Sequence, residues 1–227
     1  MRELFQKYWI NFIEKEIAMK PNLINLTEDL FLGNGSHRRT YINPENSNTV
    51  IKILYNKSKD AVAQLNREIK HNLMLQSRYK DLRGVAKYLG KVATNLGEGY
   101  IFELIKDIDT DNISESLEEY ISRNAFIDDN GEALYKSLCE LKNNMFKYGI
   151  IPMEMYPDNI LCRKSGGNYF DLIIIDDIGT ASFIPIEYYF SFAANNRIQR
   201  RWNRLLNNII DINSNPLIIS ITSKLRE

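Results

Sequence analysis

An apolar run that ends on two aspartates is the feature that most constrains the fold of this sequence. Residues 150–179 read IIPMEMYPDNILCRKSGGNYFDLIIIDDIG. Residues 159–163 and 169–175 are rich in Ile, Leu, Tyr and Phe, and Ser165-Gly166-Gly167 separates them with residues typical of a hairpin turn. The unbroken run at residues 172–175 predicts a strand that is buried on both faces. This stretch therefore predicts a buried β-hairpin.

The open end of that hairpin carries polar side chains. The first residue of one strand lies roughly 5 Å from the last residue of its partner, so Asn159 should lie beside Asp176 or Asp177. Amide and carboxylate oxygens are the ligands that Mg²⁺ prefers. The pattern predicts an oxygen-rich cation site, and it leaves the choice between the two aspartates open.

Composition excludes several classes of protein. The 227 residues contain 29 basic and 29 acidic side chains, and this balance gives no reason to expect a nucleic-acid partner. Cys139 and Cys162 are far apart and lack zinc-site spacing, which favours a reducing cytoplasm. His37 and His71 are the only histidines, and GxSxG is absent, so a His-dependent hydrolase is disfavoured.

The N-terminal residues 1–22 form the first predicted segment. Phe5, Trp9, Phe12 and Ile17 follow helical spacing, and charged residues interrupt every apolar stretch. The pattern predicts an amphipathic helix packed on the protein, or else a dimer or membrane-surface helix. It predicts neither a signal peptide nor a membrane span.

Residues 23–105 predict a small sheet with one helix. Strands are expected at 26–32, 38–42, 49–55, 85–92 and 100–104, the last two joined through Gly97-Glu98-Gly99. Gly33 and Gly35 lie in the first turn, where backbone N–H groups can approach a phosphate. Lys52 interrupts an apolar strand, so it either faces inward and needs an anionic partner or takes a solvent face.

Residues 58–77 predict the helix of this half. Its apolar positions are Ala61, Leu65, Ile69, Leu73 and Leu75, and Glu68 lies beside them. Glu68 is either a partner for Lys52 or a surface charge. Beyond residue 105 the pattern turns mainly helical, with helices expected at 114–121, 132–148 and 187–209, so residues 106–227 form a second lobe.

The order of these features resembles the protein-kinase-like fold, near its small-molecule kinase branch. More closely, the segments LGNGSHRRTY, VIKI, REIKHN, PDNILC and DDIGTASFIP resemble the YrbL family of PhoP regulatory network proteins, from about residue 30 to the helix at 187–209. The resemblance implies an α+β, two-lobed fold: a small antiparallel sheet lobe followed by a reduced, mainly helical lobe.

The resemblance also implies ATP and Mg²⁺ as cofactors. Gly33 and Gly35 would cover the phosphates, and Lys52 would contact them while paired with Glu68. The backbone from Glu103 to Ile105 would bind the adenine edge. The metal ligands would be Asn159 with Asp177, which fits the D-x-G pattern, or with Asp176.

The kinase pattern also shows where this sequence departs from it. Kinases place a catalytic Asp five residues before the metal-binding Asn and a His two residues earlier, where this chain has Glu154 and Pro152. Glu154 is one methylene longer than Asp and could orient a hydroxyl or take its proton. A displacement of ~1 Å costs roughly 10²-fold in rate, however.

The last helix carries Arg197, Arg200, Arg201 and Arg204 beside an apolar stripe. They form either a solvated face with nearby acids or a site for an anionic partner. Two hypotheses follow for the whole chain. It is an ATP- and Mg²⁺-dependent phosphotransferase that uses Glu154 and acts on an unidentified small-molecule or protein acceptor, or it is a pseudokinase-like regulatory or interaction module without transfer activity.

Overall fold

The computed structural model describes residues 23–166, 169–182 and 186–226. The N-terminal helix that the sequence predicts over residues 2–18 lies outside these ranges. Within them the chain forms seven strands: β1 (Phe31–Asn34), β2 (Arg38–Ile42), β3 (Thr49–Leu54), β4 (Tyr88–Thr94), β5 (Gly97–Glu103), β6 (Ile160–Lys164) and β7 (Phe170–Ile174). The described residues also form five α-helices: α1 (Lys59–Arg78), α2 (Leu117–Ile121), α3 (Asn124–Tyr148), α4 (Ser191–Ile212) and α5 (Pro216–Lys224).

Contacts divide the chain into two units. The first extends to Asn56 and resumes at Leu89–Phe102, and the second comprises Lys57–Tyr88 and Glu103–Glu227. Helix α1 is thus grouped with the mainly helical unit, whereas the sequence placed it with the sheet. The predicted lobe boundary near residue 105 stays a prediction.

A five-stranded sheet organises the first unit, in the order β1-β2-β3-β5-β4. Strands β1, β2 and β3 pair antiparallel, and Lys52 lies opposite Thr40. Ile24, Leu26, Tyr41, Ile51 and Ile53 are buried together as its core. This confirms the predicted small antiparallel sheet.

The second unit is mainly helical and surrounds the predicted hairpin. Strands β6 and β7 pair antiparallel from Ile160↔Ile174 to Lys164↔Phe170. The apolar stripe of α4 is buried as predicted, since Ile198, Trp202, Leu205 and Ile209 are each 0% exposed. The predicted α+β fold class is therefore confirmed.

Helix α1 buries three of its five predicted apolar positions, Ala61, Leu65 and Leu75, and buries polar residues beside them. Leu73 is 50% exposed, whereas Glu68, His71 and Asn72 are buried. The Asn72 amide explains part of this burial: it donates to Ala86 O at 2.8 Å and accepts the Tyr88 N–H at 2.9 Å. Hydrogen bonding thus compensates for burying a polar face, which hydrophobic periodicity does not reveal.

Two other local predictions differ from the structure, and one helix was not predicted. Strand β5 begins at Gly97, so Gly97-Glu98-Gly99 is not a connection but part of the strand. Much of the strand predicted at 26–32 is instead a 3₁₀ turn at Glu28–Leu30. Helix α5 was not predicted; Asn215 caps it by accepting the Leu217 N–H, and Pro216 occupies its first turn, where a missing N–H costs nothing.

Gly99 allows β5 to pack within the sheet. A Cβ at this position would lie 2.5 Å from Ile51 Cγ2 and 3.1 Å from Ile53 Cδ1. We expect Gly99→Ala to reduce the free energy of unfolding by about 1–3 kcal/mol through overpacking, as measured by urea denaturation. Gly33→Ala in β1 is the matched control, because a Cβ there has nothing within 4 Å. Equal stability of the two variants would contradict this packing argument.

Candidate functional site

The open end of the β6–β7 hairpin brings Asn159 and Asp177 together. Asn159 Nδ2 lies 3.4 Å from Asp177 Oδ2, and the Ile175 N–H donates to Asn159 O at 3.0 Å. Asp176 is turned toward the backbone, where its Oδ1 accepts the Asp177 N–H at 2.9 Å. Of the two aspartates that the sequence left open, Asp177 is therefore the one whose carboxylate meets Asn159. Which of them binds a metal stays a prediction.

Asp177 has an unusual backbone conformation. Its φ is 60°, in the left-handed region that residues other than glycine rarely adopt. The surrounding backbone holds it there: Met153 N–H donates to Asp177 O, and Gly179 N–H donates to Ile151 O, both at 2.6 Å. Strained backbone of this kind concentrates at functional sites, where surrounding contacts enforce it.

Two arginines of α4 bind Glu154, the residue at the predicted catalytic position. Glu154 Oε2 accepts from Arg201 Nη1 at 2.9 Å and from Arg204 Nη1 at 3.1 Å. The predicted catalytic carboxylate and half of the predicted basic stripe thus form one ion-pair cluster. Local sequence patterns cannot reveal this pairing, because 47 and 50 residues separate Glu154 from its partners.

The other two arginines of the stripe have different surroundings. Arg197 Nη1 donates to Glu187 Oε1 at 3.0 Å and to Ser182 Oγ at 3.2 Å. Arg200 borders an open depression next to Phe192, which is 76% exposed. Three of the four arginines therefore have nearby acids, as the solvated-face alternative expected, but the side chains of Arg197 and Arg201 are only 13% and 23% exposed. An anionic partner stays a prediction.

In the first unit, the turn with the two glycines is held by local hydrogen bonds. Gly35 N–H donates to Arg38 O at 2.8 Å. The Tyr55 hydroxyl lies 2.9 Å from Gly35 O and 2.8 Å from Ser36 O. These contacts fix the path of the turn. The phosphate contacts of Gly33 and Gly35 stay a prediction.

Lys52 lies in a strand whose residues are all buried. Its side chain is on the inner side, with the residue only 5% exposed and its Nζ 4.6 Å from the centroid of the Phe102 ring. The solvent-face alternative is therefore wrong, as is the surface-charge alternative for Glu68, which is 1% exposed. Buried charges need charged or hydrogen-bonding partners. A Lys52–Glu68 pair stays a prediction.

Gln64 and His71 are site residues that sequence reasoning missed. Gln64 Nε2 donates a hydrogen bond to Asp177 Oδ1, and Ile151 N–H donates to His71 Nε2 at 3.1 Å. His71 also stacks on Tyr188 at 5.3 Å between ring centroids. The one available signal was their spacing of seven residues, which places both on one face of α1.

The segment predicted to bind the adenine edge is partly engaged within the second unit. Glu103 N–H donates to Lys87 O at 2.9 Å, and Ile105 O accepts the Ser114 N–H at 3.0 Å. Ile105 is 1% exposed. Glu103 also borders a cavity of about 290 Å³ whose walls include residues of α3 and β7, among them Glu140 and Asp171.

The chemistry of the hairpin tip suits a hard cation. Asp177 offers carboxylate oxygens, and a half-turn of the Asn159 amide presents an oxygen in place of its nitrogen. Both groups are ligand types that Mg²⁺ accepts. Over the described ranges there is no group of three His, Cys, Asp or Glu side chains arranged to hold a metal, so a cation here would depend on a mixed carboxylate and amide set.

Sequence comparison identifies a family. A family model described as PhoP regulatory network protein YrbL matches residues 24–210. The uncharacterized protein YrbL of Escherichia coli (strain K12) is 30% identical over 184 residues, which cover 81% of this chain and 87% of that protein. The YrbL protein of Shigella flexneri matches with the same values.

Structural comparison finds a crystal structure of a kinase domain. The TM-score is 0.42 at 22% identity, and the match covers 60% of this chain and 40% of the kinase chain. Separately, none of the helices in the described ranges has the length and apolar character needed to cross a membrane.

Burial of His71 makes the stability of this site dependent on pH. Burial, together with the positive charge of Arg78, lowers the pKa of His71 from 6.5 to about 3. Below pH 6.5 the unfolded chain therefore binds a proton that the folded chain does not. We expect this difference to remove about 2 kcal/mol of folding free energy between pH 7.5 and pH 5.

The variant His71→Gln tests this expectation, because glutamine can accept the Ile151 N–H but does not titrate. Urea denaturation at pH 7.5 and pH 5 should show a smaller loss of stability in the variant than in the wild type. Parallel losses in the two proteins would contradict the assignment of the pH dependence to His71.

Proposed function

The chain belongs to the YrbL family of PhoP regulatory network proteins, and on this premise we propose that it binds ATP with Mg²⁺ and transfers a phosphoryl group. The observation that carries the proposal is the meeting of Asn159 with the left-handed Asp177 at the end of a buried hairpin. Mg²⁺ is commonly held by one or two carboxylates together with substrate phosphates. A site with few protein ligands is thus what a nucleotide-bound cation needs.

Each residue has a defined task in this proposal. Asp177 and Asn159 hold the cation, which when bound offsets the negative charge of the phosphates. Lys52, whose Nζ lies 4.6 Å from the centroid of the Phe102 ring on the inner side of β3, contacts the phosphates. Glu154 orients the acceptor hydroxyl or takes its proton.

A second candidate function follows from the surroundings of Glu154. Its Oε2 is bound by both Arg201 and Arg204. A carboxylate fixed by two guanidinium groups is held in place, whereas a general base must come within hydrogen-bonding distance of the acceptor. This pairing favours a regulatory module that binds the nucleotide without transferring phosphate.

Nucleotide binding is tested first by thermal denaturation. A ligand at 100 times its Kd raises the free energy of unfolding by about 2.7 kcal/mol. ATP with Mg²⁺ should therefore raise the melting temperature of the wild type. We expect Lys52→Ala to lose this increase. The control is Lys91→Ala, which removes an exposed lysine of β4 paired with Glu98 and should keep the increase. If millimolar ATP with Mg²⁺ leaves the wild-type melting temperature unchanged, both candidate functions are wrong.

Phosphoryl transfer is tested with Glu154→Gln. For the phosphotransferase we expect ATP turnover to fall by roughly 10²–10⁴-fold, the usual contribution of a general base, while the ATP-dependent increase in melting temperature is kept. The control is Glu132→Gln, which removes an exposed carboxylate of α3 paired with Lys136 and should leave turnover unchanged. ATP binding by a wild type that shows no turnover would favour the regulatory module instead.

A further inference from the structure

One side of helix α1 carries polar residues, and half-buried Gln64 on that side contacts Asp177. Gln64, Glu68 and His71 follow one another at intervals of four and three residues, which places them along one side of the helix. Gln64 binds the Asp177 carboxylate, and His71 accepts the Ile151 N–H. The residue one turn before Glu68 therefore contacts Asp177 itself. The residue one turn after Glu68 contacts Ile151, whose carbonyl accepts the Gly179 N–H.

A third contact shows how closely α1 approaches this segment. A Cβ on Gly179 would lie 2.9 Å from Arg67 O, and the φ of Gly179 is 118°. Position 179 therefore requires glycine, because any side chain there would collide with the backbone of α1. The helix and the D-x-G segment fit together as one assembly within the second unit.

The Asp177 carboxylate is restrained at both oxygens. Gln64 donates to Oδ1, and Asn159 Nδ2 is 3.4 Å from Oδ2. With Oδ1 held by Gln64, rotation of the carboxylate about its χ angles is limited, and Oδ2 remains directed toward Asn159. The Asp177 backbone is fixed separately, through Met153 and the Asp176 carboxylate.

We propose that Gln64 is a positioning residue for the cation site: its hydrogen bond to Asp177 Oδ1 keeps Asp177 Oδ2 beside Asn159, so that after a half-turn of the Asn159 amide both side chains present an oxygen to the same cation. This inference rests on the proposed cation site of Asp177 and Asn159. Helix α1 thus orients the Asp177 carboxylate, although the two proposed ligands belong to the β6–β7 hairpin and the residues that flank it. Partners that orient metal ligands typically contribute 10–100-fold to metal affinity.

The test is titration calorimetry with Mn²⁺ alone on the full chain, with Mn²⁺ as the probe for a hard divalent cation. Gln64→Met keeps the length of the side chain and removes the amide, and we expect it to weaken Mn²⁺ binding by 10–100-fold. Asp177→Asn, which changes a proposed ligand, should abolish binding. Asn66→Ala removes an exposed amide from the same helix and should bind Mn²⁺ as the wild type does.

A second readout separates positioning from general support of the fold. Substoichiometric Mn²⁺ should broaden the side-chain amide signals of both Gln64 and Asn159 in the ¹⁵N NMR spectrum of the wild type. In Gln64→Met we expect the melting temperature without metal to match that of Asn66→Ala, with the loss confined to Mn²⁺ affinity. A melting temperature that falls while Mn²⁺ affinity stays at the wild-type value would overturn the inference.

Two failures of this experiment can be told apart. Wild-type affinity in Gln64→Met, combined with no binding in Asp177→Asn, overturns the positioning role and leaves the proposed cation site intact. Absence of Mn²⁺ binding in the wild type overturns the cation site and, with it, the task assigned to Gln64.

Discussion

Burial of strand β7 on both faces is the constraint on which the second unit depends. Leu172, Ile173 and Ile174 are 4%, 6% and 1% exposed, so the strand leaves water almost completely. Both edges of the strand have hydrogen-bonding partners. Strand β6 pairs with one edge, and at the other the Ile174 N–H donates to Gly84 O while Ile174 O accepts the Ala86 N–H. A strand fixed in this way defines where the residues beyond its end must lie.

The polar tip of the hairpin follows from that burial. Asp176 and Asp177 come immediately after the apolar run, where the chain must leave the core, and the antiparallel register places Asn159 beside them. Helix α1 then supplies polar partners, since Gln64 binds Asp177 and His71 binds the backbone at Ile151. His71 thereby holds the backbone of the residue that precedes Pro152.

The proposed catalytic position shows how tertiary contacts change the interpretation of a motif. Glu154 alone is a carboxylate at the right spacing for a base, and the arginines of α4 alone are a basic stripe. Their ion pairs make them one cluster, in which each group satisfies the other. Ion pairs between residues far apart in the sequence therefore decide whether a carboxylate is available as a general base or is held in a structural ion pair.

The sequence by itself determined the α+β class, the hairpin with its polar tip, the pairing of β2 with β3 and the buried stripe of α4. These features depend on local periodicity and turn residues, which each segment carries in its own side chains. Only the tertiary structure decided that the buried face of α1 includes polar residues, which aspartate meets Asn159 and which acids pair with the arginines. Periodicity gives no burial signal for His71 and Asn72 and leaves Glu68 open between a pair with Lys52 and a surface charge. The partners of a buried polar group come from distant parts of the chain and lower the cost of burial only once the fold has formed.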